Sequence, residues 1–375
     1  MSELTRKDFH FDLPEHLVAH QALARRDSAR LMVRAMSGDL SDHIVSELVD
    51  LLPSDSLLIL NNTKVFPSRL VGQLDTGGKV EIFLLKSLDE GSKKDTMSSW
   101  TALGKPFKKL KVGKPIDFGH GLTGEVKDLK GRESLAPTLV LNFNKNADDV
   151  HSWLETYGII PLPPYIKRDT LVPASQSPDT ERYQTVYANS VGSVAAPTAG
   201  LHLTPELLDG LKKRGVQIAT TCLHVGAGTF LPVKSEIISE HNMHFESYSV
   251  PVTTVASIQD AMKLKKPIIA VGTTSFRSLE SLAIKCPDFL TSSPETMGDK
   301  WHETDLFVYP KTKSDRYVPK IFNGILTNFH QPESTLLMLI AALIGFEEVL
   351  KAYKWAVERE FRFYSYGDSS LLWLK

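Results

Sequence analysis

The chain has 375 residues, with 43 Lys or Arg against 44 Asp or Glu, and 42% of its residues are hydrophobic. That length holds two domains or one large domain with an insertion, and the apolar content is enough for a sizeable core. The near-zero net charge excludes a protein coated in phosphate-binding charge but leaves room for a local basic patch.

Two cysteines, Cys222 and Cys286, stand far apart without metal-ligand spacing. A disulfide framework is therefore not expected, and a reducing cytoplasm is. The segment MSELTRKDFHFD carries no apolar signal core. The longest greasy run, LLMLIAALIGF at 336–346, is too short to span a bilayer and reads as a buried helix.

In chain order, residues 1–64 read as α/β. LPEHLVAH signals a short helix, ARLMV at 29–33 a strand, IVSELVDLL at 44–52 a helix and SLLILN at 56–61 a buried strand. From about 65 to 150 the texture changes to short apolar runs, several of them alternating, broken by Gly, Lys and Asp: VEIFLLKSL, SWTALGK, KLKVGKPIDF, LTGEVKDL and TLVLNFN. This predicts a small all-β, barrel-like domain inserted at 65–150 into an α/β domain made of 1–64 and 151–375. DEGSKKDTMSS at 89–99 reads as a polar hairpin or loop.

From 150 the α/β texture returns. DVHSWLETYG is helical, and PLPPYIKR at 161–168 is stiffened and extended by proline. TPELLDGLKKRG has Thr204 as N-cap, Pro205 at the first helical position and Gly215 at the exit. VQIATTCLHV, PIIAVG and IFNGILTNF read as strands, SFRSLESLAIK as a helix, and 332–345 and 346–361 as two more helices. This succession suggests a mainly parallel sheet with crossovers.

Three segments carry candidate chemistry. AAPTAGLHLT and LHVGAGTFLP, at 195–204 and 223–232, keep bulk low around Thr198, His202, His224, Gly226, Gly228 and Thr229. Such segments let backbone approach a ligand while a few side chains touch it. VGTTSFRSLE at 271–280 places Thr273 and Thr274 at a helix start, with Arg277 one turn on, a pattern suited to an anion. TNFHQPESTLLM at 327–338 repeats the theme with His330 and Ser334. Glu246 and Asp368 are the acidic candidates, although most Asp in such loops cap turns. The basic run Lys105, Lys108, Lys109, Lys111 and Lys114, around Phe107, could follow a nucleic-acid backbone, as could Lys167 and Arg168 beside Tyr165. The bland reading of that run is a solvated β face.

Two sharper motifs fail. GAG at 226–228 follows a strand, but Pro232 blocks the helix that a dinucleotide or methyltransferase loop requires. HNMH at 241–244 lacks a carboxylate relay and a third ligand, so no metal site is expected.

The segments AAPTAGLH, HVGAGTF, AVGTTS, TNFHQPESTLLML and FRFYSYGD, with ERYQTVYA, PLPPYIKR and NNTKVFPSRL, run in order along nearly the whole chain. Together they resemble the S-adenosylmethionine:tRNA ribosyltransferase-isomerase family of queuosine synthesis. Lys64, Leu203, Phe245, Gln331 and the tail SSLLWLK depart from its pattern. The resemblance implies an α/β domain with an inserted β-barrel and no metal. It implies that S-adenosylmethionine is consumed as a ribosyl donor, with no further cofactor and no obligate protein partner. The acceptor is 7-aminomethyl-7-deazaguanine at the wobble position of tRNA; epoxyqueuosine forms, and adenine and methionine leave.

That chemistry asks for proton transfer near a sulfonium, a donor to departing adenine and an anion site for methionine. Residue type and motif nominate His202 and His224 as acid/base groups, then His330 and Asp368. Thr273, Thr274 and Arg277 are nominated for the anion, with Thr198, Gly226, Gly228, Thr229 and Ser334 as further substrate contacts. Two other functions compete with this one: a non-catalytic tRNA-binding protein, and an S-adenosylmethionine-dependent RNA methyltransferase. The first does not require the three polar strand ends. The second requires the strand, glycine loop and helix that Pro232 interrupts.

Overall fold

A computed structural model describes residues 3–89, 97–131, 137–168, 171–226, 228, 233 and 235–374. The first α/β portion contributes β1 (Arg30–Arg34), β2 (Leu40–Ile44), α1 (Leu48–Leu51), β3 (Leu57–Asn61) and the short β4 (Thr63–Val65). LPEHLVAH makes only a 3-10 turn at Glu15–Leu17.

The barrel follows. β5 (Arg69–Leu74), β6 (Lys79–Ser87), β7 (Ser99–Lys105), β8 (Pro115–Gly119), β9 (Leu122–Lys130) and β10 (Thr138–Phe143) close in the order β10-β7-β6-β5-β8-β9. Alternate residues of β6, Val80, Ile82 and Leu84, are buried together with Trp100, Ile116 and Leu141, as a half-buried strand requires. α2 (Ala147–Tyr157) lays Val150, Trp153 and Leu154 on this same core. Arg69 and Ile159 exchange backbone hydrogen bonds of 3.1 and 2.9 Å, so the chain leaves and rejoins the α/β portion at adjacent points. This pairing supports the insertion. We propose that the inserted unit extends through α2 to about residue 158, later than the break in texture at 150. Residues 90–96 of the expected polar hairpin lie outside the described residues.

The second α/β portion supplies α3 (Asp179–Arg182), β11 (Ser190–Ser193), α4 (Pro205–Lys213), β12 (Gln217–Leu223), β13 (Glu246–Ser249), α5 (Val252–Lys263), β14 (Ile268–Val271) and α6 (Gly272–Lys285). Then come α7 (Pro294–Met297), β15 (Trp301–Thr304), β16 (Gly324–Asn328), α8 (Thr335–Ile344), α9 (Phe346–Glu358) and β17 (Ser369–Trp373). The caps act as read: Leu207 N donates to Thr204 Oγ1 at 3.1 Å. α8 is apolar all round because it is buried from Leu337 to Ile344, and Gly345, at φ +103, ends it.

The main sheet runs β15-β13-β12-β3-β14-β16-β17-β1-β2. It is mixed, not mainly parallel. β12, β3, β14 and β16 pair in parallel, as do β17 and β1, while β13, β15, β17 against β16, and β2 pair antiparallel. β17 takes Ser369–Trp373 of the tail SSLLWLK and is not legible as a strand: buried on both faces, it shows no alternation. Two cores flank the sheet. Leu57 and Ile59 of β3 face α5, α6, α8 and α9, and Leu58 and Leu60 face α1 and α4. The four adjacent parallel strands end on one edge, which is where open α/β sheets place ligands.

Candidate active site

The segment 190–202 crosses that edge. β11 pairs with β4, and Val225 N donates to Ser193 Oγ at 2.8 Å just beyond β12. Ala199 then packs beside Gly272, whose φ of +85 lets β14 turn directly into α6. His202, in a 3-10 turn at Thr198–His202, reaches Asn328 at the end of β16. The three polar motifs thus meet along one line of strand ends.

His202 is buried, and its Nε2 lies 3.1 Å from Asn328 Nδ2. Burial pushes its pKa down to about 4; a hydrogen bond to the Arg26 backbone opposes this, and the Arg362 and Arg26 charges add to it. Both sides of the ring are therefore engaged by the protein. His330 is equally buried, with Nε2 3.0 Å from Thr327 Oγ1, and burial pushes its pKa down to about 3.

His224 differs. It is half-buried and stacks on exposed Trp301, with ring centroids 4.8 Å apart. Its Nδ1 lies 2.8 Å from Thr63 Oγ1. Burial, then the Lys86 charge, push its pKa down to about 4. A Cβ on Gly192 would come within 2.6 Å of this ring, so the glycine makes room for the imidazole.

Several nominated residues have other employment. The Asp368 carboxylate accepts from Arg30 N at 3.0 Å and Arg362 N at 2.7 Å and so clamps the 362–368 loop to β1. Burial raises its pKa against the pull of those two hydrogen bonds. Arg277 does not offer a free cation. It is bonded to the carboxylate of buried Glu246, and its Nε donates to Leu306 O at 3.1 Å. Glu246 also accepts from Gly226 N at 3.2 Å. One carboxylate for this arginine is thus supplied from within the chain, while its Nη2 is buried without a partner among the described residues.

Ser334 caps α8, accepting from Leu337 N at 3.2 Å and donating to Gln331 O at 2.8 Å. Arg168 is held bidentately by buried Asp179, at 2.7 and 2.9 Å, and is therefore not a free phosphate contact. Gly228 accommodates His244, since a Cβ there would lie 2.3 Å from that ring. A Cβ on Gly226 would meet open space. Thr229 lies outside the described residues. Thr273 and Thr274 occupy the first turn of α6, Thr274 Oγ1 being buried without a partner among the described residues, and Thr198 is half-buried at the turn beside them. Lys105 at the end of β7 and Lys108, Lys109 and Lys111 on the connection to β8 are all exposed, and Lys167 is exposed after the proline run. Lys114 pairs with Asp75 at 3.2 Å.

His241 and His244 have no third partner: among the described residues no three His, Cys, Asp or Glu side chains stand together as metal ligands. Both cysteines are free. Among the described residues, no helix is long and apolar enough to cross a membrane.

A cavity of about 290 Å³, counting its open mouth, is lined by Arg26, Arg182, Leu201, His202, Ser365 and Tyr366. Neither arginine stood out in the sequence as a contact, although Arg182 belongs to ERYQTVYA and Tyr366 to FRFYSYGD. The only signal was membership of those motifs, because nothing local in sequence joins positions 26, 182 and 366.

Comparison with known proteins matches residues 6–372 to the model of the family described as queuosine biosynthesis protein. The chain belongs to this family. It is 43% identical over 368 residues to S-adenosylmethionine:tRNA ribosyltransferase-isomerase of Thermosipho africanus, covering 98% of this chain and 99% of that one. It is 42% identical over 372 residues to the protein of the same name from Caldanaerobacter subterraneus, covering 98% of this chain and all of the other. Among solved structures it is similar to the S-adenosylmethionine tRNA ribosyltransferase of Thermotoga maritima, with 31% identity and a TM-score of 0.51, covering 97% of this chain and 99% of that one.

Proposed function

We propose that this protein transfers the ribosyl part of S-adenosylmethionine to 7-aminomethyl-7-deazaguanine at the wobble position of tRNA. It rearranges that ribose to the epoxycyclopentane of epoxyqueuosine and releases adenine and methionine. S-adenosylmethionine is consumed, and the reading includes no further cofactor, metal or obligate protein partner. Both substrates place the reaction in the cytoplasm. The full-length similarity to proteins bearing this name supports the reading. The observation in the fold that carries it is the meeting of 190–202, the start of α6 and the end of β16 on one edge of parallel strands.

His224 is the best-placed base. Its low pKa keeps the imidazole unprotonated at neutral pH, and its partial exposure lets a substrate reach it. The carbon next to the sulfonium is acidified by that positive charge and yields the proton. Thr198, Gly226, Thr273 and Thr274 line the nucleoside, with the unpartnered Thr274 hydroxyl available to it. Buried His202 and His330 shape the wall between β14 and β16. The exposed Lys105, Lys108, Lys109 and Lys111 of the barrel, with Lys167, follow the RNA backbone.

Purified protein mixed with S-adenosylmethionine and tRNA carrying the aminomethyl base should release adenine and methionine in equal amounts. Mass spectrometry of the digested tRNA should find epoxyqueuosine. Accumulation of S-adenosylhomocysteine would overturn the reading in favour of methyl transfer, and tight tRNA binding without any product would favour a non-catalytic role.

A further inference from the structure

Among the described residues, eight arginines, Arg168 and Arg277 included, each hold an Asp or Glu carboxylate. The two on the wall of the His202 cavity do not. Arg26 donates to Gln184 O at 2.8 Å, Leu201 O at 3.2 Å and Glu181 O at 2.7 Å, all main-chain carbonyls. Arg182 donates to the carbonyls of Leu23 and Ala24. Among the described residues neither joins an ion pair.

The two guanidinium groups are close enough that the Arg182 charge acts against protonation of Arg26. Burial lowers the Arg26 pKa first, and the exposed Glu181 opposes both effects. A third arginine, Arg362, acts on His202 from nearby. Its Nη2 donates to Gln21 O at 2.6 Å, and its Nη1 is buried without a partner among the described residues. The carboxylate acting on Arg362 is Asp368, whose oxygens already accept two backbone N–H groups. Main-chain carbonyls thus stand where Arg26 and Arg182 would otherwise hold a carboxylate, and like charges lie close together beside the cavity, an arrangement that binding an oxyanion would stabilise.

We propose that Arg26 and Arg182, with Arg362 beside His202, bind the carboxylate of the methionine part of S-adenosylmethionine. This rests on the ribosyl-transfer reading. It moves the methionine anchor from Arg277, which Glu246 neutralises, to the far side of the edge. A phosphodiester carries a ribose on each side, whereas a terminal carboxylate enters the mouth of a cavity end-on. Two guanidinium forks suit its planar geometry. The far wall is pinned: Tyr366 donates to Asp179 at 3.2 Å, and Arg168 holds the same carboxylate.

The test is titration calorimetry of the full chain without tRNA, using S-adenosylmethionine and its decarboxylated analogue. The wild-type protein should bind the analogue about 10- to 100-fold more weakly, the range for losing charge-assisted hydrogen bonds. Arg182→Gln should weaken S-adenosylmethionine by a similar factor and leave the analogue within about twofold, removing the preference. Arg182→Lys should fall between. Should Arg182→Gln fail to melt cooperatively, the wild-type comparison and Arg182→Lys decide. Equal wild-type affinity for both ligands, or a variant that keeps the full preference, overturns the assignment. So does a variant that loses tRNA affinity while its S-adenosylmethionine affinity is unchanged, which would give these arginines to a phosphate. A wild-type protein that binds no S-adenosylmethionine overturns both this assignment and the ribosyl-transfer reading. Adenine release by a protein that binds both ligands equally overturns this assignment alone.

Discussion

His202 and His224 stand beyond strands of the same sheet edge, and burial holds both near the same low pKa. Their surroundings nevertheless differ. At the β16 end, Asn328, Thr327, the Arg26 backbone and Tyr353 engage His202 and His330, and both rings are buried, with His202 on the wall of the arginine cavity. At the β12 end, His224 rests on exposed Trp301 beside Gly192 and keeps one side toward solvent. A low pKa therefore does not mark a proton carrier by itself. It records desolvation, which a structural histidine and a catalytic one share. Access to substrate separates them, and access is a matter of what packs on the ring.

The sharpest break between the two ends is kinetic. His224→Ala should lower turnover by about 10²–10⁴-fold, the range for losing a general base, with little change in melting temperature. His202→Ala should lower saturated turnover less than about tenfold while costing roughly 1–3 kcal/mol of stability, because Asn328 and the Arg26 carbonyl lose a partner. Steady-state assays and melts on both variants read this directly. The reverse pattern would exchange the roles of the two histidines.

The next largest effect concerns Arg277. Glu246→Ala leaves a buried guanidinium unpaired and should cost about 3–5 kcal/mol, read as a shift in denaturation midpoint with unchanged slope. A loss below about 1 kcal/mol would mean that Arg277 is not held by Glu246 in solution and can serve a ligand.

A third prediction uses pH. The folded pKa values of His202 and His330, about 4 and about 3, lie below the ordinary 6.5. The unfolded chain therefore binds more protons between those values. Stability is full above pH 6.5 and is lost as pH falls toward 4 and 3. Between pH 6.5 and 5 each buried histidine should account for roughly 2 kcal/mol of that loss. His202→Ala should flatten the dependence of melting temperature on pH by its share. An unchanged slope would place His202 in contact with water.

The smallest effect lies on the barrel. Lys108→Ala and Lys109→Ala should each weaken tRNA binding uniformly and reduce the salt slope by about one, with adenine release at saturating tRNA unchanged. An unaltered slope would return these lysines to the solvated face that is the commoner fate of a charge run.

The sequence by itself determined the break between α/β and β texture, because alternation with period two and helical spacing are written locally. It also determined the cap at Thr204, the exit at Gly215 and the candidate segments, since small residues beside polar ones at strand ends are visible without coordinates. It did not reveal β17, which lies between β16 and β1 with both faces covered, nor the antiparallel neighbours that make the sheet mixed. Pairing partners are chosen by tertiary contacts, not by the strand's own residues.

Within the site, only the tertiary structure decided which charges are free. Arg168 and Arg277 look like ligand contacts in sequence, and each is neutralised by a carboxylate distant in the chain, Asp179 and Glu246. Arg26 and Arg182 carry no local mark, yet they face one cavity with carbonyls as their hydrogen-bond acceptors. The electrostatic value of a side chain depends on what lies within a few ångströms in space, and separations of 31 and about 155 positions cannot be read from neighbours along the chain.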